Sequence, residues 1–112
     1  MKSIRIICIG LSLALLIPVT AVAKYTIYGV GSASCGEWVT DRKNGDWYSK
    51  GQWMLGVISA VGYYDVYDLK ETDSQAFAVW LDNYCQANPL NQINEGVYDL
   101  VRELAIPNGP NK

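Results

Sequence analysis

Residues 72–88, TDSQAFAVWLDNYCQAN, carry the pattern that decides the fold. Apolar side chains recur there at the spacing that places them on one face of an α-helix; they are Phe77, Trp80, Leu81 and Tyr84. Thr72 and Gln75 have the spacing of a capping box, which predicts that this helix begins near Thr72. Cys85 lies one turn after Leu81, so a cysteine is expected near the end of the buried face.

An arm and a short helix are predicted at the start of the domain. Residues 24–33 are expected to be an extended arm or short strand, ending in a glycine-containing turn that acts as a flexible hinge. Ser34 and Glu37 form a capping-box pattern, which predicts a first helix over about residues 35–43. Residues 44–46, Asn-Gly-Asp, then end this helix.

A second helix is predicted between this turn and the quoted stretch. Ser49 and Gln52 repeat the capping pattern, and the helix should run to about residue 61 or 63. Its buried face is expected to comprise Trp53, Val57, Ala60 and Tyr64. Residues 63–73, rich in tyrosine and charge, are interpreted as a connection over the surface.

The last predicted helix follows Asn88–Pro89, with asparagine as the cap and proline at the first helical position. Its apolar stripe is Ile93, Val97, Leu100, Val101 and Leu104. Residues 107–112 are expected to be a disordered tail. The sequence therefore predicts an all-α fold: four short helices in a small orthogonal or bundle-like domain over residues 34–106.

The beginning of the chain has the order of a secretory signal peptide. Lys2 and Arg5 precede an apolar run over residues 6–17, and small residues follow at Ala21 and Ala23. A membrane anchor is the less favoured alternative, because a bilayer core needs about 20 consecutive apolar residues. We expect residues 1–23 to be removed after Ala23 and the protein to be periplasmic or secreted.

Export determines how the three cysteines are interpreted. Cys8 lies in the apolar run and would be lost with it, which leaves Cys35 and Cys85. An even pair in an oxidising compartment is most simply a disulfide, although two free thiols or an intermolecular bridge stay open as alternatives. A bridge across about 50 residues would stabilise the fold by roughly 4 kcal/mol in the chain-entropy model. For a domain this small, that is a large share of the net stability.

Charge argues against two classes of partner. The full chain has 9 basic and 11 acidic residues, a net charge of −2, and loss of Lys2 and Arg5 would lower it to −4. No basic stripe is left to neutralise phosphates, so a nucleic-acid partner is not expected. Stable membrane insertion is not expected either. The partners expected are proteins, and the oligomeric state is left open.

The inventory of reactive side chains is short. The chain contains no histidine, which argues against the common triad, cysteine–histidine and histidine–metal designs. No cofactor is expected. Glu37 and Asp41 would share one helix face, but two carboxylates could act as acid and base only if burial separated their pKa values. An enzyme based on carboxylates is therefore a distant alternative.

Aromatic residues are the clearest excess in the composition, with 4 tryptophans and 8 tyrosines. In a small domain such side chains supply most of the core, and they also anchor protein interfaces. Trp38, Trp53 and Trp80 lie on predicted helices, which favours the core. Trp47 and Tyr48 lie in a connection and are the best candidates for contact with a partner protein.

A family resemblance agrees with this organisation. The run Ser34–Trp38, then Trp53 with Gly56, then the run from Tyr84 to Pro89 resembles the small periplasmic HdeA-like proteins. The chain is also similar to Tai-type immunity proteins, small exported helical domains that block a rival's secreted toxin. The resemblance implies a disulfide-bonded helical fold, with Cys35 and Cys85 as the positions that transfer. For HdeA itself it implies a chaperone that unfolds in acid and shields other periplasmic proteins.

The leading functional expectation is a non-enzymatic periplasmic protein that binds other proteins, as an envelope-stress or acid-stress chaperone. An immunity or inhibitor protein with one dedicated partner is the alternative. Because no histidine is present, a pH switch would have to use carboxylates that protonate near pH 4. Neutralising the carboxylates would leave a strongly positive chain whose self-repulsion favours opening.

Overall fold

Residues 25–107 are described by the computed structural model. In chain order the elements are a 3-10 turn Gly29–Ser32 and four helices, α1 Cys35–Asn44, α2 Tyr48–Tyr63, α3 Ser74–Ala87 and α4 Ile93–Leu104. Within residues 25–107 no β-strand is present, so the all-α prediction is confirmed. The predicted signal peptide lies outside the described residues, as do residues 108–112 of the predicted tail.

α1 begins and ends as predicted. The Ser34 hydroxyl accepts the Glu37 amide N–H at 3.1 Å, and the Glu37 carboxylate accepts the Ser34 amide N–H at 3.0 Å. Both amides would otherwise lack a partner in the first turn. Gly45 ends the helix in the left-handed conformation, with φ of 76°, which glycine adopts without steric cost.

The start of α2 differs from the prediction. Trp47 occupies the cap position without a side-chain hydrogen bond, and its carbonyl accepts the Gly51 amide N–H at 2.8 Å. The predicted capping box at Ser49 and Gln52 is wrong, because Ser49 lies inside the first turn. The Trp47 ring packs edge-on against Trp38 at 5.9 Å, so tertiary packing fixes where this helix begins.

The predicted buried face of α2 is also wrong. The buried residues are Gly51, Met54 and Ile58, whereas Trp53 and Val57 are half-buried and Ala60 and Tyr64 are exposed. Met54 and Ile58 thus take the places predicted for Trp53 and Val57. This shift of one residue corresponds to a rotation of the buried face by about 100° about the helix axis. Trp53 explains the rotation: its indole N–H donates to the Tyr28 carbonyl at 2.8 Å, which holds the ring at the edge of the core.

The glycine-containing turn before α1 packs against this same indole. A Cβ added at Gly31 would lie 2.1 Å from the Trp53 ring, so only glycine allows so close an approach. Gly29 has φ of 79°. The predicted flexible hinge is therefore a packed 3-10 turn, and of the predicted extended arm only residues 25–28 in the described range precede it.

α3 begins one residue later than the predicted capping box places it. Asp73, not Thr72, is the cap, and its carboxylate accepts the Ala76 amide N–H at 2.8 Å. A carboxylate is favoured at this position because it also interacts with the positive end of the helix dipole. The predicted stripe is confirmed for Phe77 and Leu81, which are buried, while Trp80 and Tyr84 are half-buried.

α4 begins at Ile93, not at Asn88–Pro89 as predicted. Asn88 instead caps the end of α3, where its side-chain amide donates to the Tyr84 carbonyl at 3.0 Å. The Gln92 amide N–H donates to the Glu95 carboxylate at 2.7 Å, a capping contact that the sequence analysis missed. The predicted apolar stripe is confirmed, since all of its members are buried: Ile93, Val97, Leu100, Val101 and Leu104.

The disulfide Cys35–Cys85 joins the start of α1 to the end of α3, as predicted. Their Cα atoms lie 4.8 Å apart, within the range for such bridges, and both residues are buried. Beside the bridge, the Cys35 amide N–H donates to the Asn91 carbonyl at 2.8 Å, and the Ile93 amide N–H donates to the Ala33 carbonyl at 2.9 Å. Three helices are thus tied together at one place.

Candidate protein-binding surfaces

A polar and aromatic cluster joins α1, α3 and the start of α2. We call Trp38, Arg42, Trp47 and Asp82 the Trp38–Asp82 cluster. The fully buried Trp38 donates its indole N–H to the Asp82 carboxylate at 2.8 Å. Arg42 binds the same carboxylate through Nε and Nη2, each at 2.9 Å. The buried indole therefore has a partner, and the carboxylate that it uses is itself held by a bidentate ion pair.

The structure places the two predicted contact residues in different surroundings. The Trp47 ring is half-buried, with the Arg42 guanidinium 4.6 Å from its centre and the edge of Trp38 beside it. Tyr48 is 75% exposed. Both residues line a hollow of about 240 Å³ between the starts of α2 and α3. Because pockets for small ligands are generally larger, this hollow has room for little more than one side chain of a partner.

The two candidate catalytic carboxylates have other contacts. Glu37 accepts the Ser34 amide N–H in the capping box of α1. Asp41 forms an ion pair with Lys50, which links α1 to α2. Both contacts stabilise the ends and the packing of helices.

The opposite end of α2 exposes a group of large side chains. They are Tyr63, Tyr64, Val66, Tyr67 and, from the end of the described chain, Ile106. We call this group the tyrosine surface. Tyr63 is 82% exposed and Tyr64 is 74% exposed, with their rings edge-to-face at 5.1 Å. Isolated exposed apolar side chains are common on proteins, whereas several in one short stretch mark a candidate contact surface.

The end of α2 directs these side chains outward. The Val66 amide N–H donates to the Val61 carbonyl at 3.3 Å, and the Asp65 amide N–H donates to the Gly62 carbonyl at 3.2 Å. This pair of bonds is the Schellman arrangement, in which one residue takes the left-handed conformation. Asp65 fills that position, with φ of 57°. The chain therefore reverses sharply, and Val66 and Tyr67 stand outside the core.

Two main-chain hydrogen bonds hold the tyrosine surface in place. The Lys70 amide N–H donates to the Leu104 carbonyl at 2.8 Å, and the Ile106 amide N–H donates to the Asp68 carbonyl at 2.8 Å. Between the two chain segments lies a hollow of about 510 Å³. Its lining residues are Gly62, Asp65, Tyr67, Asp68, Leu69, Glu71 and Ile106. The hollow thus combines a phenol, apolar side chains and carboxylates.

Charge on this connection is predominantly negative. Residues 63–73 contain four acidic side chains, Asp65, Asp68, Glu71 and Asp73, and one basic side chain, Lys70. Glu71 and Asp73 are exposed, so they contribute negative charge to the local potential that an approaching protein meets. The tyrosine surface is therefore aromatic at its centre and acidic beside the hollow.

A second apolar area lies on α3 and the turn that follows it. Val79 is exposed and Leu90 is 96% exposed. The larger rings there already have contacts: Trp80 stacks on Tyr84 at 5.7 Å, and the Tyr84 hydroxyl accepts the Asn91 side-chain amide at 2.8 Å. Since Trp80 and Tyr84 are half-buried, this area offers fewer exposed aromatic rings than the tyrosine surface does.

At the start of the described chain, Tyr25 lies edge-on to Tyr98 of α4, with ring centres 5.9 Å apart. Burial raises the pKa of Tyr98, and the neighbouring Tyr25 raises the pKa further. The contact attaches residues 25–28 to the helical domain.

Two further features concern possible ligands and membranes. Within residues 25–107, no group of three acidic or cysteine side chains is arranged to hold a metal ion. Over the same range, none of the helices combines the length and the apolar character needed to cross a bilayer.

The tyrosine surface was not predicted from the sequence. Residues 63–73 were predicted to be a surface connection, which the structure confirms, but Tyr64 was expected in the core and is exposed. The available signal was the run Tyr63-Tyr64-Asp65-Val66-Tyr67, in which four large side chains surround one residue suited to the left-handed conformation. A connection that holds so many aromatic residues is unusual unless they contact something.

Comparisons with protein-family models, with curated proteins and with solved structures find no match for this chain. The HdeA-like and Tai-type resemblances stay predictions.

Proposed function

We propose that this chain is an exported, non-enzymatic protein that acts by binding another protein through the tyrosine surface. The observation that carries the proposal is the concentration of exposed aromatic and apolar side chains at one end of α2, in the folded state. Tyrosine suits such a role, because its ring buries a large area while its hydroxyl keeps a polar contact.

The rest of the molecule supports this proposal by supplying a rigid frame. The disulfide and the Trp38–Asp82 cluster lie away from the tyrosine surface, and they stabilise the packing of α1 against α3. Export to an oxidising compartment, with removal of residues 1–23, agrees with that disulfide.

Exposure in the folded state favours a dedicated partner over a chaperone that acts only after unfolding in acid. Tyr63 and Tyr64 are exposed without any opening of the helices. A binder of the immunity or inhibitor type would therefore act at neutral pH. An acid chaperone would instead suppress aggregation of unrelated proteins at about pH 2 to 3, where its own core opens.

Site-specific photo-cross-linking tests the proposal. A photoreactive phenylalanine analogue replaces Tyr64 in the full chain, in cells that export it, and the adduct is identified by mass spectrometry. Tyr48 is the matched control, because it is equally exposed but lies at the other end of α2. We expect one discrete adduct from position 64 and none from position 48.

Binding of the identified protein is then measured by calorimetry with the purified mature chain. Tyr63→Ser and Tyr67→Ser should each weaken binding about tenfold or more, as expected for interface anchors. An adduct only from position 48 would move the function to the hollow beside Trp47. Hydrolysis by the purified chain that Glu37→Gln abolishes would replace the proposal with the enzyme alternative.

A further inference from the structure

We propose that the partner presents a basic surface, and that one of its lysine or arginine side chains occupies the hollow beside Tyr67. The inference rests on the proposed function, because it names the chemistry of the protein that the tyrosine surface binds. It commits to a class of partner that the protein-binding proposal alone leaves open.

The lining of the hollow matches both parts of a long basic side chain. Such a side chain has an apolar stem and a charged head, which prefer different surroundings. Leu69 and Ile106 supply apolar walls for the stem. Glu71 supplies a carboxylate for the head, on an exposed part of the chain where a cation can approach from solvent. The volume of about 510 Å³ is ample for one such side chain.

Tyr67 adds a further attraction for a cation. The side chain lines the hollow and keeps 49% of its surface exposed. A guanidinium or ammonium group near an aromatic ring is attracted by the negative face of the ring. This protein already shows the same interaction internally, where Arg42 lies 4.6 Å from the centre of the Trp47 ring.

The charge of residues 63–73 favours one kind of partner over the others. Residues 63–73 hold four acidic side chains and one lysine, so an acidic protein would meet like charges at the tyrosine surface. A second copy of this chain, joined through the same surface by two-fold symmetry, would bring two acidic connections together. A basic partner is the occupant for which both the aromatic centre and the acidic border are favourable.

The hollow is held in shape before any partner arrives. The hydrogen bonds from Lys70 to Leu104 and from Ile106 to Asp68 join its two walls. A site that keeps its shape avoids part of the ordering cost of binding. This arrangement favours recognition of one defined side chain rather than loose adhesion to any basic protein.

Nuclear magnetic resonance with a defined probe tests the inference. The probe is a 12-residue peptide that carries four arginines separated by glycine and serine, titrated into the isotopically labelled mature chain. The control peptide carries citrulline at the same four positions, which keeps the shape and removes the charge. We expect the arginine peptide to shift the amide signals of residues 62–71 and of Ile106, with a response that weakens as salt is added.

Two variants and one matched control sharpen the test. Glu71→Gln should weaken binding of the arginine peptide about two- to fivefold, the range for one exposed charge pair. Tyr67→Leu should weaken it by a similar factor through loss of the ring. Asp46→Asn removes the same charge from an exposed site at the other end of α2, and it should leave the affinity unchanged.

The inference is overturned if the arginine peptide leaves the signals of residues 62–71 unshifted, or if the citrulline peptide binds equally well. It is also overturned if Asp46→Asn and Glu71→Gln weaken binding equally. Each of these results leaves the protein-binding proposal standing as long as position 64 still gives its cross-linked adduct. Loss of that adduct would remove the proposed function itself.

Discussion

The two ends of α2 use the same kinds of residue for opposite purposes. At the first end, Trp47 packs against Trp38 and Arg42, and Lys50 pairs with Asp41. At the other end, about 22 Å away along the helix axis, the tyrosine surface stands in solvent beside a row of carboxylates.

The comparison shows that aromatic content alone does not identify a binding surface. Trp38 is fully buried, and its indole N–H has a hydrogen-bond partner within the protein. Its interactions therefore stabilise the fold. Tyr63 and Tyr64 are exposed, so most of their apolar area is still available to a partner. Burial, not residue type, separates Trp38, which stabilises the fold, from Tyr63 and Tyr64, whose rings face solvent.

The largest expected effect comes from the covalent bridge behind the packed end. Replacing both Cys35 and Cys85 by alanine should lower the free energy of unfolding by about 4 kcal/mol, because the unfolded chain regains the freedom that the bridge removes. Urea denaturation followed by tryptophan fluorescence measures this change. A loss below about 1 kcal/mol would show that the packed end does not depend on the bridge.

Trp38→Phe breaks the Trp38–Asp82 cluster and should lower the free energy of unfolding by about 2 kcal/mol, through lost packing and the lost indole hydrogen bond. Trp80→Phe is the matched control, because that ring is only half-buried. It should cost clearly less in the same denaturation experiment. Equal losses for the two variants would contradict the role given to the cluster.

Two glycines of α2 allow the packing at its two ends to be compared directly. A Cβ at Gly51 would lie 2.8 Å from the Trp47 ring, whereas one at Gly62 would meet nothing within 4 Å. Gly51→Ala should therefore destabilise the protein by about 1 kcal/mol. Gly62→Ala should stabilise it by about 0.5–1 kcal/mol, because alanine favours the helix. Thermal unfolding monitored by circular dichroism gives both values. Changes in stability of the same sign for the two variants would contradict the difference in packing between the two ends.

The smallest expected effect on stability is at the tyrosine surface. Tyr64→Ser removes a side chain that is 74% exposed, so the free energy of unfolding should change by less than about 0.5 kcal/mol. The same variant should lose binding to the cross-linked partner. A large loss of stability would mean that Tyr64 supports the fold, as its helical spacing predicted.

The sequence predicted the helical class, α1 with its cap, the disulfide and the apolar stripe of α4. These features depend on local spacing or on residues with one strong preference, such as Ser34 with Glu37 or a pair of half-cystines. The stripe of α4 is read correctly even though the helix start is not, since periodicity survives an error of a few residues at the boundary.

The failures have tertiary causes. Asn88–Pro89 matches the pattern of a helix start, but the Asn88 side chain caps the end of α3 instead. α4 begins only at Ile93, where the amide N–H bonds to the Ala33 carbonyl. In α2, Trp53 is drawn to the edge of the core by the carbonyl of Tyr28, which rotates the buried face. The position of the Tyr28 carbonyl depends on tertiary packing, so no local sequence pattern predicts it. The exposure of Tyr64 was missed for the same reason, whereas Val66 and Tyr67 stand outside the core because Asp65 ends the helix in the left-handed conformation.

The hydrogen bond between Ile106 and Asp68 also determines where foreign sequences can be attached. Since it fastens residue 106 within the tyrosine surface, anything inserted shortly after Pro107 is tethered only a few residues from the proposed contact area. A fluorescent protein or purification tag placed there would crowd an incoming molecule and lower its apparent affinity. A reporter dye at Asn44, at the far end of α1 from the half-cystine, would leave the contact area open.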